Sequence, residues 1–214
     1  MAASEDERDR EGFSLAEATG GPLGIAEATV PFLAFTITWT ATGKDVSAGA
    51  IVAVAITAVL ALARIVRGET VQFALSGLLG VALGAFVAAR TGEAKNFFLP
   101  GILINAASAT AYLVSIAIRR PLIGLFAAAL TGEGRRWYEE PERRELYTRA
   151  SWIWVFLFLF RLSIQLPLYI ADAVETLAVA RIITGLPLFA FALWLTYLQL
   201  KPILGDRPLA RRGG

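Results

Sequence analysis

Cysteine and histidine are both absent from this 214-residue chain, and its one methionine is residue 1. Without cysteine there is no disulfide, no thiolate nucleophile and no soft metal ligand. Without histidine there is no imidazole base and no side chain that ordinarily titrates near neutral pH. A metal site would need oxygen ligands alone, so no metal or cofactor is expected. Hydrolytic chemistry would lack its commonest base, and no Ser-Lys or paired-aspartate motif stands in for it; the chain is expected not to be an enzyme. Lysine is scarce as well, with arginine supplying 17 of the 20 cationic residues. The formal charge of +2 is small, and nothing resembles a basic nucleic-acid-binding face.

Apolar residues are what the chain has in excess, at 56% of the sequence with a mean hydropathy of +0.59. They gather into six stretches, 23–41, 46–65, 71–89, 97–118, 151–171 and 176–200. Crossing ~30 Å of hydrocarbon takes about 20 apolar residues in a helix. Lipid offers no partners to backbone N–H and C=O groups, so spans of this length must be helical. The fold expected is an all-α polytopic transmembrane bundle of about six spans, forming one membrane domain over residues 22–200.

Charge gives that bundle an orientation. Fifteen Lys and Arg fall in the two tails and the even-numbered connections, whereas three (Lys44, Arg90 and Lys95) fall on the opposite side. Cationic connections stay on the cytoplasmic face, so both termini are expected there, in a bacterial plasma membrane. Residues 1–21 carry six acids and read as a disordered cytoplasmic tail; residues 201–214 form a basic one.

After the fourth stretch, Arg119-Arg120-Pro121 introduces a short apolar run, 121–131, expected to be a helix lying in the interface. A charged cytoplasmic loop, 132–150, follows. Its balanced charges predict solvation, with Trp137 and Tyr138 anchoring at headgroup level, and Pro141 is placed to open a helix leading into the fifth span. In the third span Gly77, Gly80 and Gly84 put small residues on one face. That suits close helix packing, inside the bundle or in a homo-oligomer.

Ionisable and amide groups at membrane depth are the candidate site. Arg161 lies about ten residues into the fifth span, where a central arginine costs ~2.5–3.5 kcal/mol on insertion scales and must face the bundle interior. Gln165 lies one turn further on the same face, Asn105 falls at similar depth in the fourth span, and Glu27 lies near the start of the first. Glu27–Arg161 is the favoured buried pair; Asn105, a backbone carbonyl or water is the alternative partner for Arg161. Asp172, Glu175 and Arg181 are expected to form a shallower outer cluster that staples the last hairpin. Two readings follow: salt bridges that fix helix register, or a polar midplane site around Glu27, Asn105 and Arg161.

Pro22-Leu23-Gly24-Ile25-Ala26-Glu27-Ala28-Thr29-Val30-Pro31, Leu75-Ser76-Gly77-Leu78-Leu79-Gly80, Phe97-Phe98-Leu99-Pro100-Gly101-Ile102-Leu103-Ile104-Asn105 and Gln165-Leu166-Pro167-Leu168-Tyr169 resemble an uncharacterised family of actinobacterial integral membrane proteins, over about residues 22–200. The layout is also similar to the bacterial intracellular septation protein A family: a proline-containing first span, Arg120-Pro121-Leu122-Ile123 after the fourth, and Trp152 and Trp154 in the fifth. The second likeness implies a non-enzymatic inner-membrane protein that supports envelope integrity or septation through contacts with other envelope or division membrane proteins. The alternative is a small transporter or channel. Neither likeness assigns a catalytic residue.

Overall fold

The computed structural model describes residues 21–68, 71–131, 137 and 140–205, with side chains over 28–68, 77–129, 137 and 140–201. The amino-terminal tail through residue 20, residues 132–136, Tyr138, Glu139 and the carboxyl tail from 206 lie outside the described residues. Every described element is helical: α1 (Gly21–Ala41), α2 (Val46–Val66), α3 (Val71–Thr91), a 3-10 turn (Ala94–Phe97), α4 (Leu99–Ala117), α5 (Leu122–Thr131), α6 (Pro141–Ile170), α7 (Val174–Thr184) and α8 (Leu186–Gly205).

Four stretches are long and apolar enough to cross a membrane: Val46–Val66, Leu99–Ala117, Pro141–Ile170 and Val174–Lys201. Two further apolar stretches, Ala28–Ala41 in α1 and Gly77–Thr91 in α3, are shorter over their described residues. Outward-facing apolar side chains such as Ile37, Ile51, Phe156, Ile170 and Ile183 are each more than 60% exposed. An apolar exterior of this kind suits lipid rather than water.

Local chemistry sets the helix ends. Asp45 caps α2, its carboxylate accepting from the N–H groups of Ser47 (2.9 Å) and Ala48 (3.1 Å), which satisfies two of the donors a helix start leaves open. Pro141 opens α6, where a missing N–H costs nothing. The start of α5 is tied to its neighbours: Leu122 N–H donates to Ser115 Oγ on α4, and Ile123 N–H to Ser151 Oγ on α6.

Two cores divide the bundle. At the Asp45 end, Phe35, Trp39, Ala53, Ala88, Phe97, Phe98, Val174 and Leu177 pack together from α1, α2, α3, the 3-10 turn and α7. Phe35 stacks on Phe97 with centroids 4.0 Å apart and planes 4° from parallel. At the α5 end, Tyr112, Ile123, Trp137, Tyr147, Trp154, Val155 and Ala192 form the second core, from α4, α5, α6, α8 and Trp137 itself.

Within the connection 132–150, the helix expected to open at Pro141 is present: residues 141–150 are the first turns of α6, which runs on through the fifth apolar stretch. Trp137 is not a headgroup anchor: it is 1% exposed, its ring fills the space beside Gly124, and it meets Tyr147 edge-on at 5.2 Å. Polar neighbours in sequence suggested solvation, but an indole buries more apolar area than the charges beside it demand in water.

The last apolar stretch, long enough to cross a membrane as Val174–Lys201, is built of two helices. It breaks at Gly185, where the chain turns out of helical geometry (ψ −108°) between α7 and α8. Pro187 follows two residues later and has no N–H to return to the carbonyl of Ile183, so the i→i−4 ladder is interrupted at this point.

Candidate functional site

The break at Gly185 faces α6. From the middle of that helix Arg161 reaches across, its Nε donating to the Thr184 carbonyl at 2.7 Å and its Nη2 to the Gly185 carbonyl at 2.5 Å. A helix interruption in an apolar bundle leaves carbonyl oxygens that must find donors, and a guanidinium supplies two in a fixed fork. One turn further along α6, Gln165 Nε2 donates to Thr184 Oγ1 at 3.0 Å, while that hydroxyl donates to the Ala180 carbonyl at 2.7 Å. Because the Thr184 proton is committed to Ala180, Gln165 must present its NH₂ to Thr184. Its Oε1 therefore points elsewhere; it is buried and has no hydrogen-bond partner among the described residues.

Beside this contact lies a cavity of about 500 Å³ whose walls include Arg161, Gln165, Asn105 and Arg181. The rest of the wall is largely apolar, with Phe32, Ile104, Leu186 and Phe189 among its residues. Arg181 lies with its guanidinium carbon 4.1 Å from the centre of the Phe32 ring, a cation–π arrangement that places charge against an apolar wall. Gly101 on α4 makes room for it: a Cβ there would stand 2.6 Å from Nη2 and 2.7 Å from Cζ of Arg181. Asn105 is 7% exposed. Among the described residues neither arginine has a carboxylate within 4.0 Å, and Arg181 and the Asn105 amide have no hydrogen bond.

The expected site residues are thus distributed as follows. Asn105, Arg161, Gln165 and Arg181 share one cavity. Glu27 falls within α1 next to Ala28, which also lines the cavity, but its side chain lies outside the described residues. Arg161 meets the backbone carbonyls. Arg181 turns into the bundle, away from the outer cluster in which it was expected. Glu175 is exposed, and Asp172 lies 4.0 Å from Lys95. Lys95 stands 3.8 Å from Glu93 and over the Tyr169 ring at 5.7 Å. Tyr169 in turn donates to Asn96 Oδ1 at 2.5 Å, closing a polar cap over the Asp45 end. Of the three glycines on α3, Gly84 packs against the Phe97 carbonyl so closely that a Cβ would come within 2.5 Å, whereas Gly77 and Gly80 have open space and line the cavity.

Sequence reasoning missed Thr184, Gly185, Gly101 and Phe32. The signal for the break was present as Gly185-Leu186-Pro187 in the middle of an apolar run. Nothing local marked Gly101 as the residue that accommodates Arg181, because the two lie 80 positions apart. Among the described residues no group of three or more carboxylates is placed to hold a metal ion.

Residues 19–205 match the model of a family described as "Protein of unknown function (DUF3159)". No curated protein and no solved structure matches the chain.

Proposed function

Since the chain belongs to this DUF3159 family, whose description assigns no activity, we propose from its own geometry that it is a small, non-enzymatic transporter with a solute site between its helices. The observation that carries the reading is the interrupted helix at Gly185, braced by Arg161 and opening onto a cavity lined in part by Thr29, Asn105, Arg161, Gln165 and Arg181. Discontinuous helices at membrane depth are a recurrent way to build a solute site, because backbone that leaves the helix is tolerated only against protein or a polar cavity. In this reading the chain makes six crossings of a bacterial plasma membrane, with both ends cytoplasmic, and α5 lies along the inner interface. The charge bias of the connections supports that orientation.

The test is solute flux into proteoliposomes holding the full chain, using a panel of small organic anions, cations and neutral solutes. Uptake above protein-free vesicles, abolished by Arg181→Gln, is the expected result. A folded, correctly inserted protein that moves none of the panel overturns transport.

A second reading, envelope or septation support through helix contacts, draws on the exposed Gly77 and Gly80, which leave a backbone-deep face on α3 into which no described residue packs. Small-residue faces of this kind let helices approach closely. The cysteine-free background makes the check direct: Gly77→Cys should cross-link to itself in native membranes if that face is a homo-oligomer seam, and stay monomeric if it opens only to lipid or solute.

A further inference from the structure

Two arginines, one with no polar partner among the described residues, line a single cavity together with two amides whose hydrogen-bonding capacity is partly unused there. We infer that the cavity is a binding site for an amphiphilic oxyanion: a carboxylate or phosphate group held by Arg181 and Asn105, carried on an apolar body. This rests on the solute-site reading above and names the chemistry of its ligand.

Three independent features point to the charge. Arg161 uses Nε and Nη2 on the two carbonyls, which occupies two of a guanidinium's five N–H donors and leaves its positive charge without a described carboxylate. Arg181 has neither hydrogen bond nor ion pair among the described residues, and its described partner is the face of Phe32. Two cations sharing a desolvated space repel one another, and an anion between them removes that repulsion while supplying acceptors. Asn105, one turn along α4 from Gly101, adds an amide donor to the lining.

The body of the ligand is set by the rest of the lining. Phe32, Ile104, Leu186 and Phe189 offer apolar contact, and about 500 Å³ is within the range of small-molecule sites. Gln165 holds its NH₂ on Thr184 and its Oε1 is buried, so recognition of the acidic group falls to Arg181 and Asn105. Gly77 and Gly80, both exposed, also line the cavity and present no side chain to a ligand there.

The experiment is titration of the full chain in phosphatidylcholine nanodiscs with octanoate, 2-hydroxyoctanoate and octyl phosphate, against octanol and octylamine. Calorimetry and thermal shift are the readouts. Saturable binding of the anions, with octanol and octylamine inert, is expected. Arg181→Gln should weaken anion binding at least about tenfold without lowering the melting temperature of the ligand-free protein, because the residue bonds to nothing polar there. Gly101→Ala, which displaces the guanidinium, should weaken binding as well. Repeating the titration with phosphatidylglycerol in the disc separates the sources: competition by the lipid identifies a headgroup as the occupant, and its absence identifies a free amphiphile.

Equal binding of octanol and octanoate, or anion binding unchanged in Arg181→Gln, overturns the assignment. So does a wild-type protein that binds no anion while Glu27→Gln does, since the Glu27 carboxylate then fills the site. Anion binding without flux refutes transport and leaves the site standing, whereas flux of a cation or neutral solute refutes the oxyanion and leaves transport standing.

Discussion

Gly101 of α4 and Arg181 of α7 compete for the same space: the absence of a side chain at 101 is what lets the Arg181 guanidinium lie within the bundle, with a Cβ position 2.6 Å from its Nη2. The two residues act as one unit, since an arginine elsewhere on α7 would find no such recess and a glycine elsewhere on α4 would receive no charge.

The nature of the neighbour decides what an added methyl does. At Gly101 it meets the far end of a flexible side chain, so Gly101→Ala should fold nearly normally while moving the Arg181 charge. At Gly84 it meets the Phe97 carbonyl at 2.5 Å, a backbone atom that cannot yield without shifting the 3-10 turn. Gly84→Ala should therefore lower stability by about 1–3 kcal/mol, as overpacking commonly does. Thermal denaturation of both variants in one detergent checks the contrast, and equal losses would show that position 101 is an ordinary packing glycine.

Arg161 is bonded to the carbonyls of Thr184 and Gly185, and its removal leaves buried acceptors open. Each unsatisfied buried group costs roughly 1–3 kcal/mol, so Arg161→Gln should lower the yield of folded protein in the membrane sharply. Arg161→Lys should recover only part of the loss, because an ammonium cannot span two carbonyls as a planar fork does.

If Arg161 is anchored by carbonyls, neutralising Glu27 gives no relief. The double variant Glu27→Gln/Arg161→Gln should then be as unstable as Arg161→Gln or worse. A double variant that regains stability relative to either single one would identify a buried ion pair, since independent defects add and coupled ones compensate.

Trp137 turns the polar connection into part of the core. Its ring fills the space beside Gly124, with ring carbons 2.6–2.9 Å from a Cβ position there. Trp137→Ala should cost about 3–5 kcal/mol, the range for truncating a buried large aromatic. Glu142→Ala, at an exposed position, should stay within about 0.5 kcal/mol. Urea or thermal unfolding in mild detergent distinguishes the two.

Reporter fusions check the orientation. A fusion after Gly214 or an insertion near Gly134 should report the cytoplasm, and insertions near Gly43 or Gly92 the exterior. An exterior signal from the Gly134 insertion would overturn the arrangement of six crossings.

The all-helical class was legible in the order of the amino acids alone. Apolar runs of bilayer length at positions such as 46–65 and 97–118 admit only helices in lipid, whatever packs beside them, because each helix satisfies its own backbone. Turn and cap chemistry was legible for the same reason: Asp45 and Pro141 act within a few residues of themselves. The depth of Arg161, Gln165 and Asn105 could also be counted along a helix of fixed rise, which is why these three were recognised together. Tertiary structure decided which partner each side chain meets. Arg161 finds two carbonyls 23 and 24 residues away because α7 breaks beside it, Arg181 turns inward because Gly101 vacates space for it, and Trp137 is buried because Gly124 leaves a slot. Each of these depends on how two helices approach one another, a relation between distant segments that no local spacing encodes.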